Sequence, residues 1–425
     1  MTVQRLSRSS RVVSVCIVVL LSLVLPVLSA GSATANREPI TLYVGRFFAS
    51  FTPIDPMTLQ DDMSRPTVEL DSIDDEDFVL ISADGSTRVV VGYDGEVTVH
   101  DGIDGAVRSH FSVDGAGSLE ASNVPEALSA DGTRLLVGGD VFVPDRDLYK
   151  PVWKVFDTRT GELIATVQRG ADVFGPVVVD AGATRLYRLV GVGRPEHAAE
   201  NTSPFPARLI AYDLTTGEEL DRLDLPGIHI GTWTTGEGLK QVLPALALSP
   251  DGESVAIVHA DSDAMTVSAA ADLTVERTVA LSMPQSWRSR LLGLLLLAPQ
   301  SASAKVAEGA FKAAVFSPDG NRLYVSGTEW TAEDDPDDVP SLGLRVIDVT
   351  SGEVLGEALD DVYIDRVISS PDGQSLYVTA ADVYGPSDNF SWVLLRLDAQ
   401  TFDVLAERTF SSYPWLLIVP EGTSA

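Results

Sequence analysis

From Ile40 to its end the chain alternates short apolar runs with tight polar turns, and one turn recurs. Ser82-Ala83-Asp84-Gly85, Ser129-Ala130-Asp131-Gly132, Ser249-Pro250-Asp251-Gly252, Ser317-Pro318-Asp319-Gly320 and Ser370-Pro371-Asp372-Gly373 share a serine, an aspartate and a closing glycine. Val179-Asp180-Ala181-Gly182 and Val419-Pro420-Glu421-Gly422 are degenerate copies, which makes seven. Proline presets φ at the second position, aspartate accepts backbone hydrogen bonds and glycine takes the positive φ that closes the turn, so each copy predicts a β-hairpin. Around the copy at Gly252, strands are predicted at Leu243 to Leu248, Val255 to His259, Met265 to Ser268 and Thr274 to Leu281. A second turn recurs between the third and fourth strands, at Asp157 to Gly161, Asp213 to Gly217 and Asp348 to Gly352.

The turn glycines are spaced by 47, 50, 70, 68, 53 and 49 residues. A period of about 50 is that of four-stranded propeller blades. The two ends of the chain complement each other. The last copy supplies only an inner strand, Trp415 to Val419, whereas Ile40 to Gly45 matches Leu323 to Gly327 and Ile54 to Thr58 matches Ile347 to Ser351. Counted through the junction from Gly422 to Gly85, leaving out the first 35 residues, the wrapped step is 53. The expectation is an all-β fold, a seven-bladed β-propeller of four-stranded antiparallel blades. Residues 36–70 and 410–425 share its closing blade, which removes two open sheet edges.

Ser-Pro-Asp-Gly followed by Leu-Tyr-Val, as at Leu323-Tyr324-Val325 and Leu376-Tyr377-Val378, resembles the YVTN-type repeat of seven-bladed, WD-repeat-like propellers. The resemblance covers residues 36–425. It implies a propeller and leaves the activity open, because that family includes surface proteins, lactonases and the propeller subunits of quinoprotein and amine dehydrogenases.

Composition changes the picture in two ways. Arg5, Arg8 and Arg11 precede an apolar run from Val12 to Leu28 and then Ala33-Thr34-Ala35, so residues 1–35 read as an export signal, with an uncleaved membrane anchor as the other reading. Cys16, the only cysteine, lies inside that run, so the exported chain must be held by its core and not by disulfides. The formal charge is −31, which sets nucleic acid aside and favours cations, basic partners or plain solubility.

In an antiparallel blade the first and third connections share one face of the ring. The recurrent turns lie there. The long connections fall on the other face: Asp140 to Pro151, Gly191 to Ala207, Gly327 to Gly343 and Ala380 to Ser391 within blades, Gly227 to Leu243 and Ser282 to Lys312 between them. Insertions gathered on one face predict a binding face for a protein or small-molecule ligand. Its candidate contacts are Arg146, Tyr149, Arg194, His197, His229, Trp233, Glu329, Trp330, Tyr384, Asp388 and Trp392, and packing of the aromatics onto the blades is the competing role. Asp77, Phe174, Lys312, Asp365, Arg366 and Trp415 stand seven or eight positions before their turn glycines, where the inner strands begin, and are candidates for the channel mouth.

The acidic runs Asp74 to Asp77 and Asp334 to Asp338 contain the oxygens calcium takes, without the alternation of a known calcium loop, so solvated charge is the expectation; no cofactor is predicted. The insertion 282–312 carries Leu291 to Leu297, too short to cross a bilayer and apolar enough to need cover, from the propeller itself, a membrane surface or a partner. There is no G-x-S-x-G and no H-E-x-x-H, and Gly231 to Gly236 is followed by Glu237 where a phosphate loop requires lysine. The five histidines have no ligand spacing. A binding module is therefore expected before a lactonase-type hydrolase or an electron-transfer propeller.

Overall fold

The structure, a computed structural model, describes residues 40–420 except 47–49, 66, 70–77, 93, 103–104, 114–123, 144–147, 169–174, 194–202, 236–238, 282–307, 331–340, 361 and 383–390. Strands β1 (Ile40–Arg46), β2 (Ser50–Ile54) and β3 (Val68–Glu69) come first. Next are β4 (Phe78–Ile81), β5 (Thr87–Val91), β6 (Glu96–Asp101) and β7 (Val107–Ser112), followed by β8 (Val124–Leu128), β9 (Arg134–Val143), β10 (Leu148–Asp157) and β11 (Leu163–Gln168). The middle of the chain holds β12 (Val177–Val179), β13 (Arg185–Gly191), β14 (Phe205–Asp213), β15 (Glu219–Thr234) and β16 (Leu239–Leu243), then β17 (Ala245–Leu248), β18 (Ser254–Val258), β19 (Ala264–Ala269) and β20 (Val275–Ala280). The last third holds β21 (Glu308–Phe316), β22 (Arg322–Trp330), β23 (Leu344–Asp348) and β24 (Val354–Ala358), then β25 (Tyr363–Ser369), β26 (Ser375–Asp382), β27 (Ser391–Asp398), β28 (Val404–Phe410) and finally β29 (Trp415–Pro420).

Among the described residues, five sheets have four strands, in the orders β29-β1-β2-β3, β4-β5-β6-β7, β11-β10-β9-β8, β17-β18-β19-β20 and β25-β26-β27-β28. One has nine, β12-β13-β14-β15-β16-β21-β22-β23-β24. Tyr43 pairs with Leu417 and Leu42 with Ile418, so strands from the two ends of the chain lie in one sheet.

Inner strands such as β17 and β18 are buried on both faces and read as apolar runs, whereas the outer strands β7, β20 and β28 are largely exposed. On β9, Leu135 packs toward the sheet of β4–β7 and Leu136, one pleat on, toward that of β12–β15. Every main cluster bridges neighbours in this way. Leu189 and Leu209 meet Leu246 and Ile257, Val258 and Val267 meet Phe316 and Leu323, Tyr324 and Leu344 meet Leu376 and Leu397, and Tyr377 and Leu394 meet Leu42 and Leu416. Phe51 and Val68 meet Val79 and Ile81. The fold is an all-β propeller of antiparallel four-stranded blades.

The recurrent turn works as its residues require. Ser249 Oγ accepts the N–H of Ser254 at 2.9 Å and donates to Asp251 Oδ1, which accepts the N–H of Glu253 at 2.9 Å. Gly252, at φ 72°, closes the turn by donating to the Ser249 carbonyl at 2.9 Å. The degenerate copy corrects the sequence reading by one residue. Asp180 stands in the serine's place, accepting the N–H of Arg185 at 2.9 Å, and the positive φ falls on Ala183 and not on Gly182.

The second turn is commoner than its glycines suggest. The same closing bond forms at Asp55 with Leu59 and at Asp398 with Phe402, and Leu59 and Phe402 occupy the left-handed region at φ 58° and 63°. Each cross-braces the preceding blade. Gly161 abuts Phe111 of the preceding blade, whereas Phe402 lies on Gly356 and Leu59 is buried among Tyr377, Leu394 and Phe410. Left-handed backbone costs a non-glycine residue about 1–2 kcal/mol, and burying a leucine or phenylalanine returns about 1.5–3 kcal/mol, so packing decides.

Candidate binding face

The face that carries the recurrent turns is occupied with holding itself together. Arginines reach from one blade to turn carbonyls of the next: Arg322 to Ala399 at 2.9 Å, Arg396 to Met57 at 3.2 Å and Arg277 to Val349 at 3.2 Å. The turn aspartates are capped by their own backbone.

The opposite face is built differently, and its connections include more strand than the sequence suggests. Asp140 to Pro151 is mostly the hairpin of β9 and β10. Gly227 to Leu243 is not a loop: Gly231–Thr234 pair with Leu239–Val242, and β16 runs parallel to β21, Lys240 opposite Glu308. Leu243 therefore belongs to β16, and the inner strand begins at Ala245. The predicted insertion 282–312 likewise ends early, because β21 starts at Glu308. Residues on a continuous apolar stretch were assigned to the wrong side of a break, since periodicity marks strands but not where pairing passes from one sheet to another.

This strap joins the β12–β15 blade to the β21–β24 blade across the turn between β18 and β19. Trp233, 6% exposed, is packed against Val242, Ala260 and Ala310, so its ring serves the strap. His229 Nδ1 meets Asp261 Oδ2 at 2.5 Å, with the His229 and Trp233 rings edge to face at 6.4 Å. Beside the strap, Lys312 lies within β21 and not in a loop, its side chain only 10% exposed, with Nζ 3.7 Å from Glu329 Oε2. Burial pushes the Lys312 ammonium below the usual lysine range, against the opposing pull of Glu329 and Asp263. Arg345 and Glu357 pair at 3.2 Å, and burial raises the Glu357 carboxyl.

A second cluster lies at the start of β25. Asp365 is the extra residue of a β-bulge, between Ile364, paired with Ala380, and Arg366, paired with Thr379. A bulge re-aims its side chain. Tyr413, in the link to β29, donates its hydroxyl to Asp365 Oδ2, and its ring stands edge to face with Trp392 at 4.8 Å. Burial raises the carboxyl of Asp365, with the Tyr413 hydrogen bond and the Arg366 charge acting the other way; burial, then the Asp365 charge, raises the phenol of Tyr413.

Of the candidates from sequence, the structure groups His229, Trp233, Lys312 and Glu329 at the strap, and Asp365, Arg366 and Trp392 at the bulge. Tyr149 is opposite Phe142 on β10 and Trp330 opposite Gly309 on β22. Asp77, Arg146, Phe174, Arg194, His197, Tyr384 and Asp388, both acidic runs and Leu291 to Leu297 lie outside the described residues. Among the described residues no group of three or more histidine, cysteine or acidic side chains is placed to hold a metal. Asp261, Asp263 and Tyr413 escaped the sequence reading. The two aspartates sit in a short turn that attracts no notice by length, and the signal available for Tyr413 was its place just before the inner strand β29. His259, scattered in sequence, is buried in a hairpin, Nδ1 3.0 Å from Ser262 Oγ and Nε2 2.9 Å from Thr266 Oγ1.

No protein-family model matches the chain, and no curated protein matches it. Among solved structures the chain is similar to the crystal structure of the Myceliophteria thermophila Cps50 (Swd1) beta-propeller domain, at 10% identity and a TM-score of 0.44, over 79% of this chain and 85% of that one. The sheets described above make the chain a β-propeller of antiparallel four-stranded blades.

Proposed function

We propose that the chain is an exported binding module, a closed seven-bladed propeller of the YVTN type that engages a protein or small-molecule ligand on its long-connection face. Counting the nine-stranded sheet as two blades, β12–β15 and β21–β24, joined by β16, adds two to the five four-stranded sheets. The bridging clusters then run from each blade to the next and back to β1 and β29. The export signal at residues 1–35 and the formal charge of −31 suit a protein that works outside the cytoplasm.

The observation that carries the binding reading is the division of labour between the faces. On one, carboxylates and arginines are consumed by turns and blade-to-blade bonds. On the other, ionic and aromatic side chains from separate blades converge at the strap and at the bulge, where chain length is also spent on long connections. Fold alone does not assign a function, so the test addresses the face. A photo-crosslinking residue at Thr232, on the strap, and another at Glu253, in a recurrent turn, are compared in the medium of the producing cell. Adducts are expected at position 232 and not at 253; adducts only at 253 would reverse the reading. Native mass spectrometry of the same secreted protein separates it from the alternatives, since a retained metal would favour a lactonase-type hydrolase and a retained quinone a dehydrogenase.

A further inference from the structure

We infer that Asp365, Arg366, Trp392 and Tyr413 form a binding site for an uncharged pyranose sugar. The inference rests on the long-connection face being the binding face and names a ligand class for one part of it. All four side chains are partly exposed, and they come from three places that only the fold brings together: the bulge on β25, the start of β27 and the link to β29. The Asp365 carboxylate accepts from Tyr413 and keeps further acceptor sites, as a carboxylate has about four. The Trp392 indole N–H and the Arg366 guanidinium make no hydrogen bond or ion pair to any described residue, and neither is sealed from solvent. The Trp392 ring packs on one side against the core cluster of Leu42 and Leu394 and stands edge to face with Tyr413 at 4.8 Å, and both rings stay partly exposed beside these polar atoms.

The site thus presents an acceptor, two open donors and aromatic surface. A simple cation would satisfy Asp365 but would meet Arg366. A simple anion would satisfy Arg366 but would meet Asp365 and a chain of formal charge −31. An uncharged ring whose hydroxyls both donate and accept, and whose C–H face covers an aromatic ring, matches all of the groups at once. The bulge has a role in this, since it turns Asp365 out of the pleat alternation that would otherwise separate it from its neighbours.

The test follows the Trp392 indole N–H by NMR in the exported chain while glucose, galactose, mannose, fucose and N-acetylglucosamine are added one at a time at millimolar concentration. N-acetyl-lysine methylamide and glucuronate serve as charged controls. At least one neutral sugar is expected to shift that resonance, with affinity falling about tenfold or more in Asp365→Asn and in Arg366→Gln. The second variant keeps the test valid if the first fails to fold. A resonance that no neutral sugar moves, one that a charged control moves more strongly, or variants that bind as the parent does would each overturn the assignment. Adducts at Thr232 together with a silent sugar panel would remove this site and leave the binding face in place.

Discussion

Leu416 tests whether the carboxy-terminal strand is structural in solution. It lies on β29, 1% exposed, in one cluster with Leu42, Val44, Ile54 and Leu394. Replacing it by alanine removes three buried carbons and leaves a cavity walled by two sheets. Transfer of that apolar surface and the cavity together cost about 3 kcal/mol, within the range of about 2–5 kcal/mol for buried leucine truncations. Leu323, 0% exposed on β22, provides the buried reference, and Leu405, 47% exposed on β28, the surface reference. Scanning calorimetry of the three alanine variants should place Leu416→Ala beside Leu323→Ala, with Leu405→Ala within about 0.5 kcal/mol of the parent. If the chain ends did not share a sheet, Leu416 would sit on a loose tail. A value for Leu416→Ala that matches Leu405→Ala would then refute the closure and the blade count that depends on it.

Two further outcomes are expected. A Cβ at Gly356 would lie 2.2 Å from Phe402 Cε2, so Gly356→Ala should destabilise by about 1–3 kcal/mol, and the loss should shrink in a Phe402→Gly background, giving a coupling of about 1 kcal/mol in a double-mutant cycle; additive losses would show that the ring does not rest there. Asp213 is held below the usual carboxylate range by the hydroxyl and N–H of Thr215, and Asp348 by the N–H and hydroxyl of Ser351. A carboxyl depressed in the folded state contributes stability that is complete above its unfolded value, about 4, and drains as pH falls through the folded one. The melting temperature should therefore hold down to about pH 5 and drop below 4, with a shallower acid drop in the Asp213→Asn, Asp348→Asn double variant, and an unchanged drop would count against these caps.

The recurrent turns were legible because their chemistry is local. Ser249, Asp251 and Gly252 make their hydrogen bonds within six residues of one another, so the sequence alone determines a hairpin there, and regular spacing of such hairpins determines blades. The same logic failed where a distant contact overrode a local preference. Leu59 and Phe402 occupy positions that glycine would take by backbone preference, because a neighbouring blade buries the first and packs against the second.

The candidate site divides along the same line. Residue types on long connections singled out His229 and Trp392 from sequence, and places just before inner strands singled out Lys312 and Asp365, yet nothing local joins Lys312 to Asp263, His229 to Asp261 or Asp365 to Tyr413. Those partners are 32 to 49 residues apart in the chain and meet only because successive blades stand side by side. The strap of β15, β16 and β21 is likewise a tertiary decision, since it pairs strands across an intervening blade and no periodicity encodes that pairing. Sequence determined the repeating unit, because turns and pleats are short-range; tertiary structure decided which side chains face one another, because that depends on how the units are stacked.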